Sequence, residues 1–454
     1  MSETKKTLTF GAVALAVVLL AWLTAPAPAA PDAFLDRGEA FFPEFVDPNV
    51  ATTLEVIEFN EETAAAAPFQ VTFKDGRWTI PSHHDYPADG KDRLAQTAAG
   101  VIGIRKDDFR TDNVTDHEAC GVLDPLDEGT ASLKGRGKRV TLRGENHQTL
   151  ADFIVGRSLD QRPGYRFVRI PEQKRVYVAK MDIDLSTRFE DWIERDLLQV
   201  SRDEIEQVIL KDYSIDESTR RVNQRDVVFL DNKDGTWRAD RMTDAQEIDS
   251  SKMNDLLGAL DDLQIVGVRP KPAGLSAKLQ RAAGGMEVTQ ADLRSLQSRG
   301  YYFSHEGTLL SNEGEIEARS SLGVLYTLRF GEIVYGSGEA VSAGSEQEAS
   351  ADQGPGENRY LFITTEFDES RFPEPPAPAG LAFESKPENE WTEDDRTNKA
   401  RHDAHEEWRR KVEAGRSLSE DLNRRFADWY YVIAADGYDK LHLQRRDLVR
   451  AKTS

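Results

Sequence analysis

The histidines that have another potential ligand beside them are the first candidates for chemistry in this sequence. His83-His84-Asp85 offers metal-ligand types in a row, but adjacent residues on a strand point to opposite faces and do not easily share one ion. His402 and His405 lie one helical turn apart among acidic residues, but zinc needs further ligands, and the sequence has no HExxH pattern. We therefore predict a solvated turn at the first cluster, a solvated helix face at the second, and no metal site.

A nucleophile with an orienting base is the next pattern that would support catalysis. Cys120 is the only cysteine and has His117 three residues before it, but nothing in the sequence marks an orienting base or an oxyanion donor for it. The sequence also has no P-loop and no G-x-G-x-x-G after a strand. We therefore predict no catalytic residue, no cofactor-binding residue and no cofactor, and we expect that the protein is not an enzyme.

The charge and the length of the chain set two broad limits. Its 58 basic and 80 acidic residues give a net charge of −22. A protein that neutralises nucleic-acid phosphates needs a basic face, so we predict that nucleic acid is not a partner. The length of 454 residues predicts two or more domains, because a single hydrophobic core rarely serves a chain beyond about 250–300 residues.

The amino terminus carries an uncharged apolar run. Lys5 and Lys6 precede the run from Leu8 to Ala25, whose length is near the lower limit of about 17–25 residues for a transmembrane helix. We predict that residues 1–31 form a cytoplasmic start, a transmembrane anchor and an Ala/Pro linker. The alternative is a signal peptide that is cleaved at small residues of the Ala/Pro tract. Both interpretations place the bulk of the chain in the periplasm or outside the cell, and the first makes it a single-pass protein of the inner (cytoplasmic) membrane.

Five short sequence markers occur twice in the same order after this run. The first copies are VI at 56–57, VTFKDGRW at 71–78, VIGIR at 101–105, FIVG at 153–156 and RFEDW at 188–192. The second copies are VI at 208–209, VVFLDNKDGTW at 227–237, IVGVR at 265–269, LRFG at 328–331 and RFADW at 425–429. The shared order predicts an internal repeat, with repeat unit one at 53–200 and repeat unit two at 201–454.

Each copy carries the signals of an antiparallel sheet with a helix. Asp-Gly shortly before Trp78 and before Trp237 is typical of a tight hairpin turn, because glycine accepts a positive φ. In copy two, the helical spacing i, i+3, i+4, i+7 is kept by Met253, Leu256, Leu257 and Leu260. Further strands follow one another rather than alternating with helices. The predicted fold class is α+β, with an N-terminal transmembrane helix followed by two copies of an antiparallel-sheet-plus-helix unit, and we interpret the repeated tryptophans and RFxDW motifs as structural.

Two insertions distinguish the second copy from the first. Residues 336–357 are rich in Gly, Ser, Ala and Glu without apolar periodicity, which predicts a disordered insertion. Residues 373–416 begin with a Pro-rich linker and continue as a charged helix, which Thr392 is predicted to cap and Gly415 to end. This helix either lies on its own domain or docks a partner.

The repeated pattern also resembles a known family. The N-terminal run, the DG-x-W hairpin with its helix and VIGIR, and the strands ADFIVG and YRFVRI resemble the bacterial domain-of-unknown-function family 4340 over most of the chain from Leu54 onward. Relatives of that family are found near ABC-type export components and gliding-like proteins. The resemblance implies no catalytic or ligand residue.

Two functional hypotheses follow. The favoured one is a membrane-anchored, extracytoplasmic, non-enzymatic protein that serves as an accessory or interaction subunit of a membrane transport-type complex. Its partners would be the membrane, through the N-terminal helix, and integral-membrane transport proteins. The alternative is an extracytoplasmic binding module for a glycan or a small ligand, which predicts a deep aromatic-lined pocket between the two copies.

Overall fold

The computed structural model describes residues 11–19, 36–61, 63–216, 219, 221–280, 288–304, 306–336, 339–344 and 357–452. The chain divides into two compact units. Unit 1 comprises residues 1–69 and 94–185, and unit 2 comprises residues 70–93 and 186–454. The boundaries between the units therefore differ from the predicted repeat boundary between residues 200 and 201.

The first copy of the sequence pattern contains nine strands. They are β1 (Thr53–Asn60), β2 (Ala65–Lys74), β3 (Arg77–Ile80), β4 (Tyr86–Pro87), β5 (Asp108–Thr111), β6 (Lys138–Arg143), β7 (Thr149–Leu159), β8 (Arg162–Arg169) and β9 (Val176–Lys180). In unit 1 the sheet has the order β2-β1-β6-β7-β8-β9-β5, and its pairs are antiparallel wherever the register is defined. Alternate apolar residues of the central strands fill its core, as a half-buried sheet requires, with Val56 opposite Val140 in the register of β1 and β6.

The described residues of the second copy contain twelve strands. They are β10 (Ile205–Asp216), β11 (Arg221–Lys233), β12 (Thr236–Ala239), β13 (Gln246–Ile248), β14 (Ile265–Pro270), β15 (Tyr301–Phe303), β16 (Leu309–Ser311), β17 (Glu315–Ser320), β18 (Val324–Val334), β19 (Asn358–Phe367), β20 (Trp429–Ile433) and β21 (Val449–Ala451). The main sheet of unit 2 has the order β12-β11-β10-β17-β18-β19-β20-β14. β13 pairs with β21, and β15 pairs with β16.

Ten helices accompany the strands in the described residues. They are α1 (11–19), α2 (Lys91–Ile102), α3 (His117–Cys120), α4 (Ser250–Asp261), α5 (Ala273–Gln280), α6 (Gln290–Gln297), α7 (Glu339–Ser342), α8 (Glu393–Ala427), α9 (Ala435–Leu441) and α10 (Arg445–Leu448). Helix α4 buries the four apolar residues that the sequence placed on one face, Met253, Leu256, Leu257 and Leu260.

The two sheets share one strand order. The order β2-β1-β6-β7-β8-β9-β5 in the first copy corresponds, strand by strand along the chain, to β11-β10-β17-β18-β19-β20-β14 in the second. In the first sheet, β5 follows helix α2 and joins the sheet edge beside β9. In the second sheet, β14 follows helix α4 and joins the edge beside β20. The internal repeat of the sequence stays a prediction, but the common strand order is what such a repeat would produce.

The two Asp-Gly turns have matching geometry. Asp75 and Asp234 both have a φ of 53°, and Gly76 and Gly235 both have a φ of 80°. Positive φ at both central residues is the property of the type I′ turn, which matches the twist of the flanking strands. Each turn closes a hairpin in which the tryptophan occupies the second position after the turn, so that Trp78 faces Phe73 and Trp237 faces Asn232.

The structure corrects the prediction for the amino terminus. Helix α1 is described over residues 11–19. None of the helices in the described part of the chain combines the length and the apolar composition that a bilayer crossing requires. The predicted transmembrane helix, and with it the single-pass inner-membrane location, is therefore wrong. Residues 8–10 and 20–25 of the apolar run lie outside the described residues.

The second insertion differs from its prediction at the end of the helix. Thr392 caps α8 as predicted, through its side chain and Asp395, but the helix continues without a break to Ala427. Gly415 lies in the middle of α8, where a Cβ atom would be 2.2 Å from the carbonyl oxygen of Leu322. The glycine therefore permits close packing of the helix, and the packing outweighs the cost of about 1 kcal/mol that glycine imposes on a helix.

The linker before α8 folds back onto that helix. Trp408 donates from Nε1 to the carbonyl oxygen of Phe372 at 2.8 Å, and the rings of Phe383 and His402 lie 5.6 Å apart. These are the contacts expected of a helix that lies on its own domain. Residues 337–338 and 345–356 of the predicted insertion at 336–357 lie outside the described residues.

Candidate functional site

In the first histidine cluster, His83 lies in the core of unit 2, whereas His84 is exposed. His83 is only 3% exposed, and its ring stacks on Phe189 with the centroids 4.6 Å apart. Its Nε2 lies 2.8 Å from Oγ of Ser342, and burial lowers its pKa to about 4. His84 donates from Nε2 to the carbonyl oxygen of Ala343 at 2.8 Å, because a carbonyl oxygen only accepts. His83 therefore belongs to the core and not to a solvated turn.

The second cluster makes ordinary contacts on α8. Nε2 of His405 lies 3.1 Å from Oε1 of Glu374, and Nε2 of His402 lies 3.9 Å from Oε1 of Glu384. Among the described residues, no group of three His, Cys, Asp or Glu side chains is placed to hold a metal ion.

Cys120 and His117 lie next to each other in unit 1, on α3. Cys120 is 2% exposed and packs with Val122, Ile154 and Val176. Burial raises the pKa of its thiol, which disfavours the thiolate that a nucleophile needs. His117 instead faces a groove, and this groove is the best candidate for a binding site.

The groove has a volume of about 490 Å³ and lies between α3, the loop 121–137 and the turn 171–174. We call it the loop groove. A volume of this size is within the range of about 300–1,000 Å³ of known ligand pockets. Its apolar lining consists of Val114, Leu123, Leu126 and Pro171. Its charged lining consists of Asp124, Asp127, Glu172, Arg139, Arg169 and Lys174, which together are electrically neutral.

One arginine holds the loop 121–137 in shape. Arg136 donates to the carbonyl oxygens of Asp124 at 3.0 Å, Thr130 at 2.9 Å and Ser132 at 3.2 Å. Side chains inside the loop add to this order, because Asp127 accepts from Gly129 N at 2.9 Å. The hydrogen bonds within the loop also lower the pKa of Asp127. The loop is therefore a fixed wall of the groove, as in compact surface loops that carry function.

Two further arginines form the floor. Arg169 is 6% exposed, and its guanidinium donates to the carbonyl oxygens of Val122 at 2.9 Å and Gln173 at 3.1 Å. Burial lowers its pKa. Arg139 makes two parallel hydrogen bonds to Asp152, at 3.0 and 2.7 Å, which raise its pKa, and a third to Asp124 at 3.1 Å. These contacts fix both cations and hold the loop against the sheet.

His117 closes the groove on the side of α3. It is 4% exposed, and its Nε2 lies 2.8 Å from the carbonyl oxygen of Lys174. Because that oxygen only accepts, Nε2 carries the hydrogen atom, and burial lowers the pKa of the ring. His117 is therefore neutral at pH 7 and joins α3 to the turn 171–174.

The rim of the loop groove is apolar and accessible. Val114 is 51% exposed and Leu126 is 48% exposed, and both side chains line the groove. Below them, Asp124 and Asp127 accept hydrogen bonds from backbone N–H groups of their own loop. A fixed, neutral groove with an apolar rim is suited to bind an uncharged segment with apolar side chains, because the groove loses little conformational entropy on binding.

A buried lysine forms a separate cluster in unit 2. Lys271 is 6% exposed, donates to the carbonyl oxygen of Phe426 at 2.8 Å, and has its Nζ 3.9 Å from the centroid of the Phe362 ring. Burial lowers its pKa well below the usual value. Such an amine would be nucleophilic. It is enclosed by Phe362 and Tyr430 and packs beside a core cluster, so the loop groove remains the better candidate.

The comparison with protein families decides one point. Residues 78–278 match the family model described as Domain of unknown function (DUF4340). Over these residues the chain is similar to the DUF4340 family. The DUF4340 segment covers less than half of the chain, and the loop groove lies inside it. No curated protein and no solved structure matches the chain.

The DUF4340 match confirms the resemblance seen in the sequence, over a shorter range than from Leu54 onward. It gives no support to the membrane, periplasmic or transporter associations that were predicted with it. The sequence did not reveal the loop groove. The signal that was available is the turn-rich stretch from Gly121 to Gly137, where two aspartates and four glycines surround the arginine that orders them.

Proposed function

We propose that this protein is a non-catalytic interaction protein that binds a segment of a partner polypeptide in the loop groove. The observation that carries this proposal is the pair of half-exposed side chains, Val114 and Leu126, on the rim of a groove whose wall is fixed by Arg136. Exposed apolar side chains that are held in place, rather than scattered, are typical of interaction sites.

The charges of the groove favour a neutral partner segment. The whole chain has a net charge of −22, which opposes the approach of acidic surfaces, but the three acids and three bases of the groove balance each other. An uncharged segment with apolar side chains would bury the rim without leaving an unpaired charge behind.

The alternative, a glycan-binding module, has less support at this site. It predicted a deep aromatic-lined pocket between the two copies, whereas the loop groove lies within unit 1 and none of the residues that line it is Phe, Tyr or Trp. Asp124, Asp127 and His117 of the groove are hydrogen-bonded to their own loop and turn, as in a binding surface rather than in an acid–base pair. An association with transport proteins stays a prediction from the family resemblance.

Affinity purification with matched variants tests the proposal. The double variant Val114→Ala/Leu126→Ala and the control Leu133→Ala would each be expressed at native levels in the source cells. Leu133 is 44% exposed on the same loop but does not line the groove. We expect one polypeptide to co-purify with the wild type and with the control and to be depleted from the double variant. Equal recovery with all three chains would refute the proposal.

A further inference from the structure

Unit 1 has a second groove, with a volume of about 380 Å³, to which β1, β6, β7, β8 and the two ends of the loop 121–137 contribute residues. We call it the basic groove. Its charged lining consists of Glu58, Glu61, Arg136, Lys138, Arg157 and Arg166. Four cations against two acids give a local charge of +2, in a chain whose total charge is −22. Basic side chains that gather in one groove of an otherwise acidic protein are a feature of ligand sites, because a cleft focuses the electric field of its charges.

The cations of this groove are not equally available. Lys138 forms an ion pair with Glu58, and the donors of Arg136 are used by carbonyl groups of its own loop. Arg136 also covers the face of Phe59, with its guanidinium carbon 4.4 Å from the ring centroid. These two cations therefore build the wall of the groove rather than bind a ligand.

Arg157 and Arg166 are the two that remain available. Arg166 donates from Nε to the carbonyl oxygen of Gly156 at 3.0 Å, which fixes the side chain and leaves its two terminal nitrogen atoms for other acceptors. Among the described residues, no carboxylate forms an ion pair with either guanidinium. A guanidinium presents paired N–H donors that match the oxygen atoms of a phosphate or a carboxylate.

The position of Arg157 depends on a glycine. A Cβ atom at Gly121 would lie 2.7 Å from Cγ of Arg157, so the stem of the arginine occupies the space that the missing side chain leaves. Gly121 has a φ of 69°, which an L-residue rarely adopts. The turn at Gly121 and the strand at Gly156 thus place the two arginines at one end of the groove.

We propose that the basic groove binds a small organic oxyanion, whose phosphate or carboxylate group is held by Arg157 and Arg166 and whose apolar part lies beside Phe59 and Val155. This is a second site, separate from the loop groove, and it does not rest on the proposed interaction function. The volume exceeds that of an inorganic anion and leaves room for the apolar part.

Calorimetric titration of the full chain tests this site with three probes, which are phenyl phosphate, benzoate and inorganic phosphate. We expect the two aromatic probes to bind more tightly than inorganic phosphate, and their relative affinities distinguish a phosphate from a carboxylate ligand. Raising the ionic strength should weaken binding, because the arginines are near the surface.

The variants Arg157→Gln and Arg166→Gln should each weaken binding about tenfold or more, since each removes a charge-assisted hydrogen bond. Arg157→Lys, which keeps the charge, should lose less than Arg157→Gln. Arg162→Gln is the matched control, because Arg162 is an exposed arginine of β8 that does not line the groove. The proposal is overturned if no probe binds at millimolar concentration, or if Arg162→Gln weakens binding as much as the two groove variants.

Discussion

The binding strength of the loop groove can be predicted from the exposure of its rim. The perturbation is the double variant Val114→Ala/Leu126→Ala, which shortens both side chains and leaves the hydrogen bonds of the loop untouched. Val114 is 51% and Leu126 48% exposed in the free protein, so about half of each side chain is still in contact with water. A bound segment would cover that half.

The expected magnitude follows from this exposed half. Complete burial of a valine or leucine side chain contributes about 1.5–3 kcal/mol, so the remaining half contributes about 0.7–1.5 kcal/mol for each residue. Together they contribute about 1.5–3 kcal/mol to binding. Because about 1.4 kcal/mol corresponds to a tenfold change in Kd, the double variant should bind its partner about 10- to 100-fold more weakly.

The assay is biolayer interferometry with the purified chain and the partner polypeptide that affinity purification identifies. Leu133→Ala is the control, since it removes a comparable exposed side chain of the same loop outside the groove. Unchanged midpoints of thermal unfolding would show that both variants are folded. A Kd that changes less than twofold in the double variant, or equally in the control, would refute the reasoning.

Three further predictions concern the fold. Arg136→Ala should destabilise the loop 121–137 by about 2 kcal/mol, because it removes charged hydrogen bonds to several carbonyl groups, and hydrogen exchange should become faster in that loop. Gly76→Ala and Gly235→Ala should each destabilise the chain by about 1–2 kcal/mol in denaturant unfolding, because both glycines have a φ of 80° and no atom lies within 4 Å of the added Cβ. His83→Asn should reduce the loss of stability on acidification. The pKa of His83 is about 4 when folded and about 6.5 when unfolded, so the unfolded state binds more protons between these values, and stability falls by up to about 3 kcal/mol as the pH falls from 6.5 to 4.

Each of these predictions has its own contradicting result. Unchanged exchange in the loop after Arg136→Ala would mean that the arginine does not order it. Gly380→Ala serves as the control for the turn glycines, because the φ of Gly380 is not positive and its surroundings are open. An equal loss of stability in Gly380→Ala would contradict the explanation by backbone strain. An identical pH dependence of wild type and His83→Asn between pH 7 and pH 4 would show that His83 is not the titrating group.

The hairpins were predictable from the sequence because their signal is local. Asp-Gly supplies the two positive φ values of a type I′ turn, and the β-branched residues before each turn supply the strand. The spacing of the buried face of α4 and the cap of α8 at Thr392 were predictable for the same reason. Each of these features depends on residues that are close to one another in the sequence.

Features that depend on distant contacts were not predictable. Gly415 has the sequence signature of a helix end, but its close contact with Leu322 keeps it inside α8. The apolar run at the amino terminus has the composition of an anchor, but none of the helices in the described residues is long and apolar enough to cross a membrane. In the same way, Arg139 and Arg169 meet only because β6, β7 and β8 are neighbours in the sheet.

Site-specific photo-crosslinking in living cells would test the central claim most directly, namely that the loop groove binds a partner polypeptide. A photoreactive phenylalanine analogue would replace Leu126 in one chain and Leu133 in another. We predict a single strong crosslink to one polypeptide from position 126 and a much weaker one from position 133. Equal crosslinking from both positions, or none from position 126, would contradict the claim.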